Sequence, residues 1–124
     1  MLCRSITLVL VLAVILSLTS IASGHISGWK MVHGDVLQVF PEQHKILMKI
    51  NGEQTILVLD AQCPIYRLGT TVRLESMRPI APDTFQDALC WIDEQGLVRH
   101  VLVNYNVHEE GGVLVAYDIF GNLK

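Results

Sequence analysis

The sequence predicts an all-β fold: a small antiparallel barrel of about six or seven short strands with one helical turn, preceded by an N-terminal signal helix. Three observations carry this expectation. Residues 46–50 and 54–59 are apolar and rich in β-branched side chains, and Asn51-Gly52 lies between them; both turn residues tolerate the positive φ that tight hairpins demand. After residue 24 no helical period is sustained, and turn residues recur at close intervals. Residues 1–24 differ in composition from everything that follows.

That first stretch has Arg4 as its only charge, an aliphatic middle over 6–22, and small residues Ser20, Ala22 and Gly24 at its exit. It reads as a secretory signal. The competing reading is an uncleaved anchor, yet seventeen helical residues span only ~25 Å against a hydrocarbon core of ~30 Å. The chain is thus expected to be exported, to the extracellular side or the outer face of the cytoplasmic membrane, and to touch a membrane only through this segment. Removing Arg4 moves the formal charge from −3 to −4. The remainder is one small domain: a linker over 25–30, a barrel over 31–120 and a tail over 121–124. An acidic domain is a poor holder of phosphate backbones, so nucleic acid is disfavoured as a partner.

Within the domain, residues 31–40 read as a strand, with Gly34 permitting a bend and the spacing of Val36 and Val39 implying a bulge. Pro41 to His44 make a turn. For the central hairpin, a plain two-residue loop sets Ile46, Met48 and Ile50 beside Leu57, Thr55 and Glu53, a mixed face. A glycine-linked bulge sets them beside Ile56 and Val58, and this register is preferred. It leaves Leu47, Leu57 and Leu59 on the other face, which is only half dressed for water. Ile65 to Arg67 form a very short strand, turned by Leu68-Gly69-Thr70 and answered by residues 71–74. Residues 75–78 make a helical turn that Pro79 stops. Strands follow over 85–93 and 97–107, joined at Glu94-Gln95-Gly96, and a last strand covers 113–117 after a turn over 108–112.

Gly34-Asp35-Val36 with Val39, the 46–50 strand with Asn51-Gly52, Tyr66-Arg67-Leu68-Gly69, Val72 and Leu74 before a short turn, and strands paired about Gly96 form an order of pieces. It resembles small OB-like β-barrel domains of unknown function in exported bacterial proteins, over residues 32–107. These motifs are turn signals. The Pro79–Thr84 region departs from the polar bend usual there, and residues 113–117 add a strand. The resemblance implies a barrel and supplies no catalytic residues.

No phosphate-cradling glycine loop, Gly-X-Ser-X-Gly elbow or HEXXH helix is present. Cys63 and Cys90 have two readings: a disulfide permitted by export, contributing roughly 3 kcal/mol, or two buried thiols. Of the five histidines, His33 and His100 are the pair that strand pairing can bring together on a metal, although none shows ligand spacing. Asp83, Asp87 and Asp93 are read as solvated turn acids rather than paired catalytic carboxylates. Trp29, Tyr66, Trp91, Tyr105 and Tyr117 are expected mainly to fill the core. Trp91 lies on a strand whose two faces are both apolar, so cover by the last strand, by Trp29 or by another chain is expected. The expectation for function is a non-enzymatic module without cofactor or metal. It acts by contact with an envelope protein, a copy of itself or cell-wall polymer through Leu47, Leu57, Leu59 and Trp91. The alternative is a ligand-binding or hydrolytic domain using Cys63 with a histidine.

Overall fold

A computed structural model describes residues 28–124; the expected leader and the first half of the linker lie outside the described residues. The strands are β1 (Lys30–Phe40), β2 (Lys45–Ile50), β3 (Glu53–Leu59), β4 (Ile65–Arg67), β5 (Thr70–Thr71), β6 (Asp87–Ile92), β7 (Leu97–Val103), β8 (Asn106–Glu110) and β9 (Val113–Tyr117). Short 3-10 turns occupy Pro41–Gln43 and Leu74–Met77. Among the described residues no helix is long and apolar enough to cross a membrane.

β1 is long because it serves two partners. Its first half pairs β6 from Lys30↔Ile92 to Asp35↔Asp87, and its second half pairs β2 from Asp35↔Lys49 to Phe40↔Lys45. The change of partner needs the two backbones to come very close at Gly34, where a Cβ would run into the Lys49 carbonyl. The expected bulge follows at once, as a register shift between Val36 and Gln38 that sharpens the strand's twist.

The central hairpin corrects the preferred register. Ile50 pairs Glu53 directly across Asn51-Gly52, and both turn residues have positive φ, 50° and 81°. Ile46, Met48, Leu57 and Leu59 therefore point inward and are buried, whereas Ile56 and Val58 face out. The mixed face that weighed against this register causes no conflict, because Glu53 beside the turn is exposed and Thr55, opposite buried Met48, stays half-exposed.

The main sheet runs β3-β2-β1-β6-β7-β4-β5. It is all-β as expected, but not a closed antiparallel barrel, and β7 supplies the reason. One edge of β7 carries β6. The other is divided: Leu97 and Val98 meet the end of β3, and Val101 and Leu102 meet β4, both in parallel. Neither seam has room to run the length of a strand, and the near end of β3 is left as an edge.

The core inside this curl is aliphatic and sulfur-rich, with Val36, Ile46, Met48, Met77, Val98 and Val101 fully buried. The aromatic rings expected to fill it do not. Trp29 and Tyr105 are exposed, and Tyr66, Trp91 and Tyr117 are half-buried. The second arm of the β6–β7 hairpin also ends earlier than the sequence suggests. β7 stops at Val103, and β8 and β9 pair with each other as a ribbon outside the main sheet, with Tyr117 of β9 also bridging Leu123. The tail does not trail away: the Lys124 ammonium donates to Asp35 Oδ1 at 2.6 Å and to the Phe85 carbonyl at 2.8 Å.

The contact at Gly34 yields a direct test. Gly34→Ala is expected to lower stability by roughly 1–3 kcal/mol, because a backbone carbonyl cannot yield as a side chain does. Urea unfolding of the two proteins measures it.

Candidate functional site

The outer face of β1, β6, β7 and β4 carries the apolar surplus noticed in the sequence. Met31, Trp91 and His100 follow one another across the strands. The His100 ring lies 5.2 Å from that of Trp91 and 5.3 Å from that of Tyr66. Further along the same face Leu89 is buried, and the chain end returns nearby. Phe120 packs edge-on to His33 with ring centroids 4.9 Å apart.

That return is fixed by Asp87, whose side chain is only 1% exposed. Its Oδ2 accepts from His33 Nε2 at 2.7 Å and from the backbone N–H of Ile119 at 2.7 Å. Its Oδ1 accepts from Asn104 Nδ2 at 2.8 Å, and Asn104 Nδ2 also donates to the Tyr117 carbonyl. One buried carboxylate thus holds β1, the end of β7 and the tail. A buried charge is tolerated only when it is paired and hydrogen-bonded in this way. Asp87 is not the solvated turn acid that its sequence context suggests. Asp93 is nearer that description, because its Oδ1 accepts the backbone N–H groups of Gln95 and Leu97 in the β6–β7 turn.

Between the returning tail, the β4–β5 turn and the end of β7 lies a groove of about 710 Å³. Tyr66, Leu68, Tyr105 and Phe120 give it apolar and aromatic surface, and Asn104 and Asp118 give it polar groups. The Asp118 carboxyl is held below its ordinary range, chiefly by the backbone N–H of Asn122. Leu68 stands at the rim, 97% exposed, with φ of 50° followed by Gly69 at 78°. Left-handed backbone at a bulky residue costs roughly 1–2 kcal/mol, and full exposure of a leucine returns nothing to folding.

The residues singled out from the sequence are dispersed. Leu57 and Leu59 belong to the core and cannot form a surface, which corrects that expectation; Leu47 and Trp91 are half-buried on the outside. His33 and His100 do not meet, and among the described residues no cluster of metal-ligating side chains occurs. Cys63 and Cys90 are free thiols. Cys63 Sγ donates to the Pro64 carbonyl at 3.6 Å, and Cys90 Sγ lies 3.6 Å from Met48 Sδ. Burial pushes the Cys63 thiol up to about 11, with Asp60 adding to the shift and Arg99 opposing it; burial pushes Cys90 up to about 12. A nucleophilic cysteine needs the opposite shift.

Two outcomes follow. Asp87→Ala is expected to cost about 3–5 kcal/mol in urea unfolding and to free the Ile119 N–H to exchange. Alkylation of folded Cys63 by iodoacetamide at pH 8 should run roughly a hundredfold slower than in urea, and should accelerate as pH rises toward 11. Against known proteins, no family model, curated protein or solved structure matches this chain.

Proposed function

We propose that this chain is an exported, non-enzymatic module of OB-like architecture that acts by contact, and that the groove beside Leu68 is where it makes contact. Export rests on the leader over residues 1–24. The OB-like reading is supported by strand order rather than closure: β1, β2 and β3 are consecutive and antiparallel, β6 pairs β1 and β7, and the end of β3 makes a two-residue parallel contact with β7. The observation that carries the contact reading is Leu68: a leucine on left-handed backbone, bare to solvent, at the rim of an apolar groove of about 710 Å³. Folding alone favours Asn at such a position. A side chain that stabilises neither the turn nor the core is accounted for by what it touches outside the chain.

The occupant best suited to this surface is cell-wall polymer. Exposed rings beside amide and carboxylate side chains match the alternating apolar faces and hydroxyl edges of linked sugars, the mixture of packing and orienting groups common to small-ligand recesses. The hydrolytic alternative through Cys63 gains no support from a thiol held protonated, with its Sγ on its own neighbour's carbonyl.

Leu68→Asn separates contact from folding. The substitution converts the turn to Asn-Gly and is expected to raise stability by about 0.5–1 kcal/mol. The same variant should lose about tenfold or more in co-sedimentation with purified peptidoglycan sacculi. Equal pelleting of the two proteins overturns the groove as the contact site. Self-association in sedimentation velocity that the substitution abolishes assigns the groove to a second copy instead.

A further inference from the structure

Tyr105 also borders a second, smaller recess of about 280 Å³, lined by Arg67, Ser76, Arg78 and Gln86 among others, with no Asp or Glu in its wall. Arg67 is half-buried at the end of β4. Its Nη1 donates to Ser76 Oγ at 2.6 Å, and its Nη2 donates to the Ser76 carbonyl at 2.9 Å and to Gln86 Oε1. Three of the roughly five guanidinium N–H donors are used in this way. Its Nε is out of contact with solvent and has no acceptor. Gln86, itself buried, spends its amide N–H groups on the Ser76 and Arg78 carbonyls at 2.7 Å each. These bonds hold the Leu74–Met77 turn and the following loop around the guanidinium. The Tyr105 ring covers it, 5.5 Å from ring centroid to Arg67 Cζ.

A counter-charge is what the recess lacks. Among the described residues the ion pairs join His33 to Asp87, Arg99 to Asp93 and Lys124 to Asp35. Neither Arg67 nor Arg78 has a carboxylate, although the whole chain carries more acids than bases. Arg67 is held below its ordinary value chiefly by burial, with Tyr105 opposing and Arg78 adding to the shift. Two guanidinium groups therefore face one another's field with no counter-charge. Ser76 Oγ accepts from Arg67 and keeps its own O–H free to donate. Arg78 is exposed, held only by a 3.1 Å bond from Nη1 to the Glu75 carbonyl, and free to turn inward. Guanidinium pairs with adjacent hydroxyls are the usual receptors for carboxylate and phosphate.

We propose that this recess is an oxyanion site, taking a carboxylate or phosphate group between Arg67 and Arg78 with Ser76 Oγ as a further donor. The site stands whether or not the Leu68 groove binds polymer. The test is thermal unfolding and NMR titration of the full chain at pH 7 with sodium phosphate and with sodium acetate, against sodium chloride at equal ionic strength. A ligand bound by the folded state alone raises the melting temperature in a concentration-dependent way. The expected result is a saturable response to phosphate or acetate, absent with chloride, with shifts at the Arg67 Nε–H and Tyr105 resonances. Response to phosphate alone assigns a tetrahedral anion, and response to acetate alone a planar one. Arg78→Gln should weaken the response about tenfold or more without altering the melting temperature in chloride, and Leu68→Asn should leave it intact. No difference from chloride for either salt, or an undiminished response in Arg78→Gln, overturns the proposal.

Discussion

The molecule's outer architecture depends on the solvation of one carboxylate. Asp87 is placed at the start of β6, opposite Asp35, by the pairing of β1 with β6, and once buried it must find donors or cost several kcal/mol. It finds them on three segments far apart in sequence: His33 on β1, Asn104 just past β7, and the Ile119 N–H in the tail. The result is more than a satisfied charge. Asn104 and the tail are walls of the groove, so the same bonds that solvate the carboxylate set the shape of the recess. Lys124, bound to Asp35 and to the Phe85 carbonyl, ties down the far end of the same tail.

Local chemistry was legible in the sequence wherever backbone conformation was decided by neighbours. Asn51-Gly52, Leu68-Gly69 and Gly96 marked their turns, Pro79 ended a 3-10 turn, and the Val36–Val39 spacing marked a bulge. The hairpin register was misread for a physical reason. Alternation was assumed to hold to the tip, whereas only the half near the core is constrained by burial. Leu57 and Leu59 obey alternation, and Glu53 and Thr55 on the same parity lie where water reaches them. The closed barrel failed on a longer-range constraint, the division of β7's free edge between β3 and β4, which no single strand pattern encodes.

The candidate site was less legible than the fold. Asp87 resembles the other acids of its region, and its burial is fixed by partners 54 and 17 residues away. Arg67 gave no signal, because its acceptors are a serine and a glutamine in a loop chosen by tertiary packing. Leu68 did give one. A bulky apolar residue before glycine at a turn is unusual, but the sequence reads the turn as Leu68-Gly69-Thr70; only the pairing of Arg67 with Thr70 makes it a two-residue turn, where the preference is for Asn or Gly.

The distribution of rings follows from the aliphatic core. A curl filled by Val, Ile, Leu and Met is complete without an indole or phenol, and the phenol and indole of its strands, Tyr66 and Trp91, lie on the outer parity. Part of that surplus is met by the tail, part by the stacking of Tyr66, His100 and Trp91. Tyr105 belongs to neither group. It follows Asn104 at the joint between β7 and the β8–β9 ribbon, is 51% exposed, covers the Arg67 guanidinium with one face and borders the groove as well. An isolated two-stranded ribbon is marginally stable in water, and this one is tied to the main sheet near that joint through Asn104 Nδ2 on the Tyr117 carbonyl. Because the joint also carries Asp87's donor, any shift of the ribbon must move Asn104 or Tyr105, and with them a wall of each recess. The two cavities are therefore separate in chemistry, one apolar and one cationic, yet share a single mechanical support.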